Sequence, residues 1–407
     1  MLNIAILGFG NIGSGVADVF AENESVISKK IGDTVNIKYI LDKTDIKNHP
    51  LSDRQVKDFS VILNDPDISL MVETMGGATF AYECTKSALE KGIDIVTSNK
   101  EVVAKYGAEL LAIAAKTNAR YFFEASVGGG IPVIRPIYNC LAANKINKIT
   151  AILNGTTNFI LTKMANENLD FSVALKMAQD NGFAESDPSD DIDGKDTCRK
   201  ICILSSLAFG KQLPPEKVYV EGIREITLED IKNAEKLGYK IKLIAKSNQV
   251  EDSLYVIVSP MLVSKSSPLY NIDDVFNGIV ITGNAIGDVM FYGRGAGKLP
   301  TASAVAADVM DALSRSTKNM MWDISDGNYV SDYKTQNSEY YIRACSETEN
   351  PDFGGLSNLF PESQIQKNRT VKEIFFITNK LSESELSEKI NSVQELGYTI
   401  LSKIRIL

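Results

Sequence analysis

Gly8-Phe9-Gly10-Asn11-Ile12-Gly13 constrains this chain more than any other feature. It joins a short branched apolar run at 3–8 (NIAILG) to a stretch at 13–22 in which Ile12, Val16, Val19 and Phe20 share one helical face. A glycine turn from a buried strand into a helix lets the backbone approach a pyrophosphate. The helix start then presents free N–H groups and the positive end of its dipole. Without a ligand the same hexad is only a tight turn. Its place between strand and helix is what points to a dinucleotide held at Gly8, Gly10, Asn11, Ile12 and Gly13.

The pattern around the loop agrees. Strands are expected at 35–41, 69–73, 93–97 and 120–124, with helices at 79–91 and 101–117. Strand and helix thus alternate for about 125 residues, which predicts a Rossmann-type, doubly wound parallel sheet over 1–133. Asp42 ends the second strand. A carboxylate there accepts a ribose 2′-hydroxyl and repels a 2′-phosphate, favouring NAD; Lys43 beside it pulls the other way.

GGGIPVIRP, from 128, reads as a hinge into a second, α+β domain over 134–300. Its strands are expected at 146–153, 217–221 and 254–263, and its helices at 134–143, 156–167, 171–181, 196–210 and 228–247. GRGAG at 293–297 leads into an alanine-rich helix at 301–315, which returns to the first domain as part of 301–325. The tail, 338–407, predicts strand 340–345, a short helix, strand 373–378, helix 383–396 and strand 398–406. That is a small ferredoxin-like module.

Whole-chain arithmetic removes several classes of function. With 43 basic and 52 acidic residues in 407, the net charge is −9, which disfavours nucleic acid as a partner. No run approaches the roughly 18 apolar residues of a membrane span, so no membrane role is expected. The start of the chain reads as a strand rather than a signal peptide. Five scattered cysteines suit a reduced, cytoplasmic setting. Cys198 and Cys202 fall in a helical pattern and read as core. The single histidine, His49, lies in a polar stretch, so proton transfer would fall to Lys, Asp, Glu or Tyr, and a zinc site of several histidines is excluded.

Three segments carry candidate chemistry. Lys100 follows the strand at 93–97, outside the carboxyl end of a parallel sheet. It is either a solvated helix-start residue or an active-site cation. Glu124 heads a glycine-rich loop that is either a plain hinge or a cation site built from oxygen ligands. The densest signal is 178–200, AQDNGFAESDPSDDIDGKDTCRK. Asp196 and Lys200 are four apart at the start of a largely apolar helix, so both point to one side. The plain alternative is a surface ion pair. Carboxylates this dense repel one another, however, and a cluster with one lysine suits a substrate that carries an ammonium group. Tyr82 and Lys86 have the spacing of another dehydrogenase class, but with 15 tyrosines that spacing arises by chance.

The 178–200 segment resembles the signature of the homoserine dehydrogenase family. Ala178 and Gly182, Phe183-Ala184, Asp187-Pro188 and Asp191-Ile192-x-Gly194-x-Asp196-x3-Lys200 all fit. GFGNIGSGV, TSNK, EASVGGGIP, LNGTTNFI and GRGAGKLPTASAV resemble the rest of that family in order, over about residues 1–325. The resemblance implies reversible, NAD(P)H-dependent reduction of L-aspartate 4-semialdehyde to L-homoserine. It implies Lys200 as proton donor and Lys100 as a second active-site lysine. Glu185, Asp196 and Asp191 become substrate-binding carboxylates, with Asp196 beside the chemistry. Thr74, Ser98, Lys100, Gly182 and Gly297 become contacts near the cofactor. Glu124, Val127, Gly129 and Ile131 match a site for sodium or another monovalent cation. The resemblance also implies a homodimer through the second domain, with a tetramer as the further step, and an ACT-like tail that senses an amino acid such as L-threonine.

Two departures stand out. Leu41-Asp42 replaces the arginine-containing pair that grips a 2′-phosphate. Glu349-Asn-Pro-Asp-Phe-Gly-Gly-Leu356 replaces the usual ligand loop of an ACT module, so the tail is expected to fold and assist assembly while threonine inhibits weakly or not at all. Two other readings are a different NAD(P)-dependent oxidoreductase of amino acids and a non-catalytic dinucleotide sensor. The full match at 185–200 counts against the first, and the presence of both lysines against the second.

Overall fold

A computed structural model describes residues 1–314, 320–346, 352–368 and 372–407. The chain divides into two units. The first comprises Met1–Asn147, Arg199–Lys217 and Ile281–Asn328; the second comprises Lys148–Cys198, Val218–Val280 and Tyr329–Leu407.

The first unit is built on β1 (Leu2–Leu7), β2 (Val35–Leu41), β3 (Gln55–Val56), β4 (Leu70–Glu73), β5 (Asp94–Thr97) and β6 (Tyr121–Phe122). They form one parallel sheet in the order β3-β2-β1-β4-β5-β6. The predicted Rossmann-type sheet is therefore present. Ile4, Ala5, Ile6 and Leu7 are all fully buried. Helices on both faces require such continuous apolar strands. The helices are α1 (Asn11–Glu22), α2 (Glu24–Ile31), α3 (Phe59–Leu63), α4 (Thr79–Glu90) and α5 (Lys100–Thr117). The returning helix, Lys298–Ser314, packs on α1, where a Cβ on Gly15 would stand 3.2 Å from Ala302 Cβ. Close helix contact explains the small residues on both.

Two boundaries differ from expectation. The strand expected at 120–124 stops at Phe122, because Glu124–Ser126 turns into a 3-10 helix. The helix expected at 134–143 ends at Cys140, its last five residues, Pro136–Cys140, forming a π turn.

The second unit contributes β7 (Ile146–Ile152), most of it beyond Asn147, then α6 (Gly155–Glu167), α7 (Phe171–Asp180) and α8 (Ser189–Ile192). Helix α9 (Lys195–Phe209) begins in this unit but belongs to the first from Arg199 on, and β8 (Tyr219–Val220) and α10 (Leu228–Lys236) are again in the second. The helix expected over 228–247 is wrong beyond its first two turns. A Thr227–Asp230 capping box starts α10, and Gly238 at φ 86° ends it. The chain then forms β9 (Tyr239–Val250), paired antiparallel along its whole length with β10 (Ser253–Ser264). Both faces of β9 are buried through its middle, so its apolar residues do not alternate and mimic a buried helix.

The strands β11 (Phe276–Gly283) and β12 (Gly287–Arg294) have no counterpart among the expectations. Asn277 and Gly278 interrupt the apolar run that would have marked β11.

The tail carries β13 (Tyr340–Ser346), a helix at Phe353–Leu359, β14 (Gln366–Asn368), β15 (Glu373–Ile377), a helix at Glu383–Glu395 and β16 (Tyr398–Ile406). These four strands lie in the order β16-β13-β15-β14, all antiparallel. Strand β16 also pairs with β10 (Leu262 with Ile406), so the tail shares the sheet of its unit. Tyr340, Ile342, Leu356, Phe376, Leu386 and Val393 form its core. The Ser382–Glu385 capping box is made, and Leu381 packs on the core cluster that contains Leu386. Residues 349–351 of the altered ligand loop lie outside the described residues.

Candidate functional site

The crevice of such a sheet lies where strand order reverses, here between β1 and β4, at their carboxyl ends. Gly8 occupies the turn there with φ 91°. A Cβ on Gly13 would stand 2.0 Å from Gly8 O, so only glycine lets α1 start this close to the turn. A Cβ on Gly10 would meet nothing within 4 Å, and no side chain caps α1. The loop is therefore open to a ligand and its helix N–H groups are unclaimed by a cap, which fits a dinucleotide pyrophosphate.

Two expected cofactor contacts brace this loop. Thr74 Oγ1 donates to Gly8 O at 2.7 Å. Asp42 accepts Phe9 N–H at 2.6 Å and Thr44 N–H at 2.8 Å, so its carboxylate is fixed at the end of β2.

Beyond β5, Asn99 caps α5 by accepting Val102 N–H at 3.2 Å, and Lys100 is the first residue of the helix. Ser98 N–H donates to Glu73 O. Glu73 itself is a residue that sequence reasoning passed over. It is wholly buried, and burial lifts its carboxyl to about 7, against hydrogen bonds from Thr97, Met75 and Asn99. The available signal was an acid closing an otherwise apolar strand. Lys200 is also buried, and it lies in the same unit as Lys100. Arg199 and Glu101, their chain neighbours, form an ion pair at 3.1 Å.

In the second unit, the acidic run is sorted among partners. Asp180 pairs with Lys176, Asp193 with Arg224, and Asp187 with Ser189. Asp191 and Asp196 instead share one amide: Asn154 Nδ2 donates to Asp191 Oδ1 at 2.6 Å and to Asp196 Oδ2 at 2.9 Å. Asn154 is buried and also caps α6 through Thr157 N–H. Glu185 is exposed on the loop before α8, where Gly182 adopts φ 72°. Among the described residues its carboxylate is not held to Asn154.

The segment matched to a cation site lies in the first unit. The Glu124 carboxylate, 1% exposed, accepts N–H groups from Val133, Ile134 and Arg135 at 2.6–2.8 Å. Asp308 accepts Glu124 N–H at 2.8 Å, and burial pushes its carboxyl up to about 8 despite the Arg135 guanidinium beside it. With the Glu124 side chain so engaged, a cation here would be left to main-chain oxygens of Glu124, Val127, Gly129 and Ile131. Those suit a monovalent ion. Among the described residues no group of three His, Cys, Asp or Glu is placed to hold a metal. The two glycine-rich segments meet in this unit: a Cβ on Gly129 would stand 2.4 Å from Gly295 O, and Gly297 follows at φ 124°. Tyr82 and Lys86 both contact Glu109 in a half-exposed cluster, consistent with a chance spacing.

The family profile for the homoserine dehydrogenase NAD-binding domain matches residues 8–124, and that for homoserine dehydrogenase matches residues 132–310. The chain belongs to the homoserine dehydrogenase family. It is 35% identical to the homoserine dehydrogenase of Neisseria gonorrhoeae, over 97% of this chain and 95% of that one. It is 33% identical to that of Bacillus subtilis, over the same shares. The crystal structure of the homoserine dehydrogenase from Thiobacillus denitrificans superposes with TM-score 0.91 at 30% identity, covering 100% of this chain and 98% of the other. A hyperthermophilic archaeal homoserine dehydrogenase in complex with NADPH gives 0.66 at 30% identity, covering 78% and 99%.

As a homoserine dehydrogenase, the chain is an oxidoreductase that interconverts L-aspartate 4-semialdehyde and L-homoserine, a step in amino-acid biosynthesis. Its cofactor is a nicotinamide dinucleotide and its partner a small-molecule substrate. Among the described residues no helix is long and apolar enough to cross a membrane.

Proposed function

We propose that Lys200 gives the proton and that Lys100 stands beside it at the reacting carbonyl. The bound nicotinamide supplies the hydride. As that hydride reaches the aldehyde carbon, the oxygen takes a proton from the Lys200 ammonium; in reverse, neutral Lys200 removes the hydroxyl proton of L-homoserine. Asp196, Asp191 and Glu185 bind the substrate's ammonium group. The observation that carries this reading is the Arg199–Glu101 ion pair, which sets the helix turns bearing Lys200 and Lys100 side by side.

The glycine loop from Gly8 to Gly13, with Asp42, Thr74 and Ser98, holds the dinucleotide, and Gly182 and Gly297 lie near the bound ligands. NAD is the preferred form, because the fixed Asp42 carboxylate opposes a 2′-phosphate. Main-chain oxygens of Glu124, Val127, Gly129 and Ile131 bind sodium or another monovalent cation. The enzyme works as a cytoplasmic homodimer through residues 134–300, after a dinucleotide domain at 1–133. Residues 338–407 form an ACT-like module whose β-α-β-β-α-β order supports that reading. Threonine is expected to inhibit weakly or not at all. Absorbance at 340 nm with L-homoserine and NAD or NADP in turn tests the reading; no reduction with either cofactor would overturn it.

A further inference from the structure

Glu73 closes β4, in register with Leu7 of β1 and Thr97 of β5, at the crevice where strand order reverses. Its two carboxylate oxygens go to different places. One accepts Met75 N–H at 2.7 Å; the other accepts the Thr97 hydroxyl at 2.6 Å. Thr97 Oγ1 accepts Asn99 N–H in turn, at 2.9 Å. Asn99 caps α5, and its amide nitrogen donates to Gly77 O at 2.8 Å. A relay of hydrogen bonds thus runs from one buried carboxylate to the first turn of α5, which Lys100 opens. The same carboxylate fixes the chain after β4 against the glycine loop, since a Cβ on Gly8 would stand 2.9 Å from Met75 Cγ.

Packing alone does not call for an acid here. Cys84 and Tyr121, which sense its charge, are both pushed upward and neutral near pH 7. An apolar residue of similar length would fill the space without the cost of burying a charge.

We propose that Glu73 is a positioning residue for the reaction, holding Lys100 in place against the dinucleotide crevice through Thr97 and Asn99. The proposal rests on the placement of Lys100 in the active site. The test is a double-mutant cycle in kcat for L-homoserine oxidation, with cofactor affinity read separately from the fluorescence of bound NADH or NADPH. Glu73→Gln should lower kcat by about tenfold or more while leaving cofactor affinity within about threefold, because small misplacements of a reacting group cost turnover. In a Lys100→Ala background, Glu73→Gln should then cost nothing further. A Glu73→Gln enzyme with kcat within twofold of the parent overturns the proposal. So does a loss that multiplies undiminished with that of Lys100→Ala, which is the signature of a merely structural role. Full turnover in Lys100→Ala would sink the placement of Lys100 itself and this proposal with it. If Glu73→Gln does not fold, Thr97→Val breaks the same relay with little change of volume, and the same cycle decides.

Discussion

Arg199 and Glu101 form an ion pair at 3.1 Å, and each is the chain neighbour of a buried or half-buried lysine. Glu101 lies in the first turn of α5 and Arg199 in the second turn of α9. Both partners are partly exposed, so the pair adds at most about 1 kcal/mol to stability. Its weight is geometric. It sets the first turn of α5 against the second turn of α9, the turns that carry Lys100 and Lys200. On the proposed mechanism these two lysines stabilise and protonate the developing alkoxide without a histidine.

Lys200→Ala should therefore lose turnover by roughly 10²–10⁴-fold, the usual contribution of a general acid or base. Cofactor affinity should stay near that of the parent, because the glycine loop is built from other residues. Steady-state kinetics with L-homoserine, alongside fluorescence titration of NADH, checks both. A kcat close to the parent's removes Lys200 from the proton transfer.

Asn154 holds Asp191 and Asp196 on one amide nitrogen while its carbonyl oxygen caps α6. Asn154→Asp keeps a good capping acceptor and removes only the donor. The two carboxylates would then face a third. The KM for L-homoserine should rise by about tenfold, equivalent to about 1.4 kcal/mol of lost recognition, with the helix content by circular dichroism unchanged. An unchanged KM would mean that these acids do not receive the substrate ammonium.

Asp42 is held by Phe9 and Thr44 N–H groups at the end of β2. Asp42→Asn keeps the shape and an acceptor oxygen but removes the charge that opposes a 2′-phosphate. The ratio of kcat/KM for NAD over NADP should fall by about tenfold, one charge contact's worth at a site of intermediate polarity. A ratio that does not move places the choice of cofactor elsewhere, Lys43 being the nearest other charge.

The sheet of the first unit was legible because its strands are short apolar runs punctuated by glycine, and because helix and strand periods differ. Of the candidate site, the acids of 178–200 were legible as a cluster because they are close in sequence, and the structure brings Asp191 and Asp196 together on Asn154. What escaped depends on distant partners. Asn154 meets Asp191 and Asp196 from 37 and 42 residues away, and Glu73 meets Thr97 from 24. Strand β9 escaped for a related reason. Lys242 lies within it at 2% exposure, buried against Asp273 from 31 residues away, a partner that local spacing does not show.

That lysine gives the last prediction. Lys242 Nζ donates to Asp273 at 2.9 Å, to Ile272 O at 2.5 Å and to Asn158 Oδ1 at 3.0 Å. Burial pulls its ammonium down to about 8, even though Asp273 opposes the shift. Burial pushes Asp273 the other way, and the ammonium groups of Lys242 and Lys240 more than reverse it, leaving that carboxyl below its usual range. Asp273 is therefore ionised throughout the alkaline range, so in the Lys242–Asp273 pair the proton lost there is the lysine's. Above pH 8 the folded chain sheds the Lys242 proton, while the unfolded chain keeps it to about 10.4. The unfolded state then binds more protons, so this group's contribution to stability rises with pH from about 8 to 10.4 and is flat below 8. The full rise is at most about 3 kcal/mol. Lys242→Met abolishes it while Lys240 still pairs with Asp273 at 2.9 Å. Urea unfolding of parent and variant at pH 7, 8, 9 and 10 should show the parent gaining on the variant as pH rises. Parallel curves would mean that Lys242 stays protonated across that range, and that Asp273 and the two carbonyl oxygens outweigh its burial.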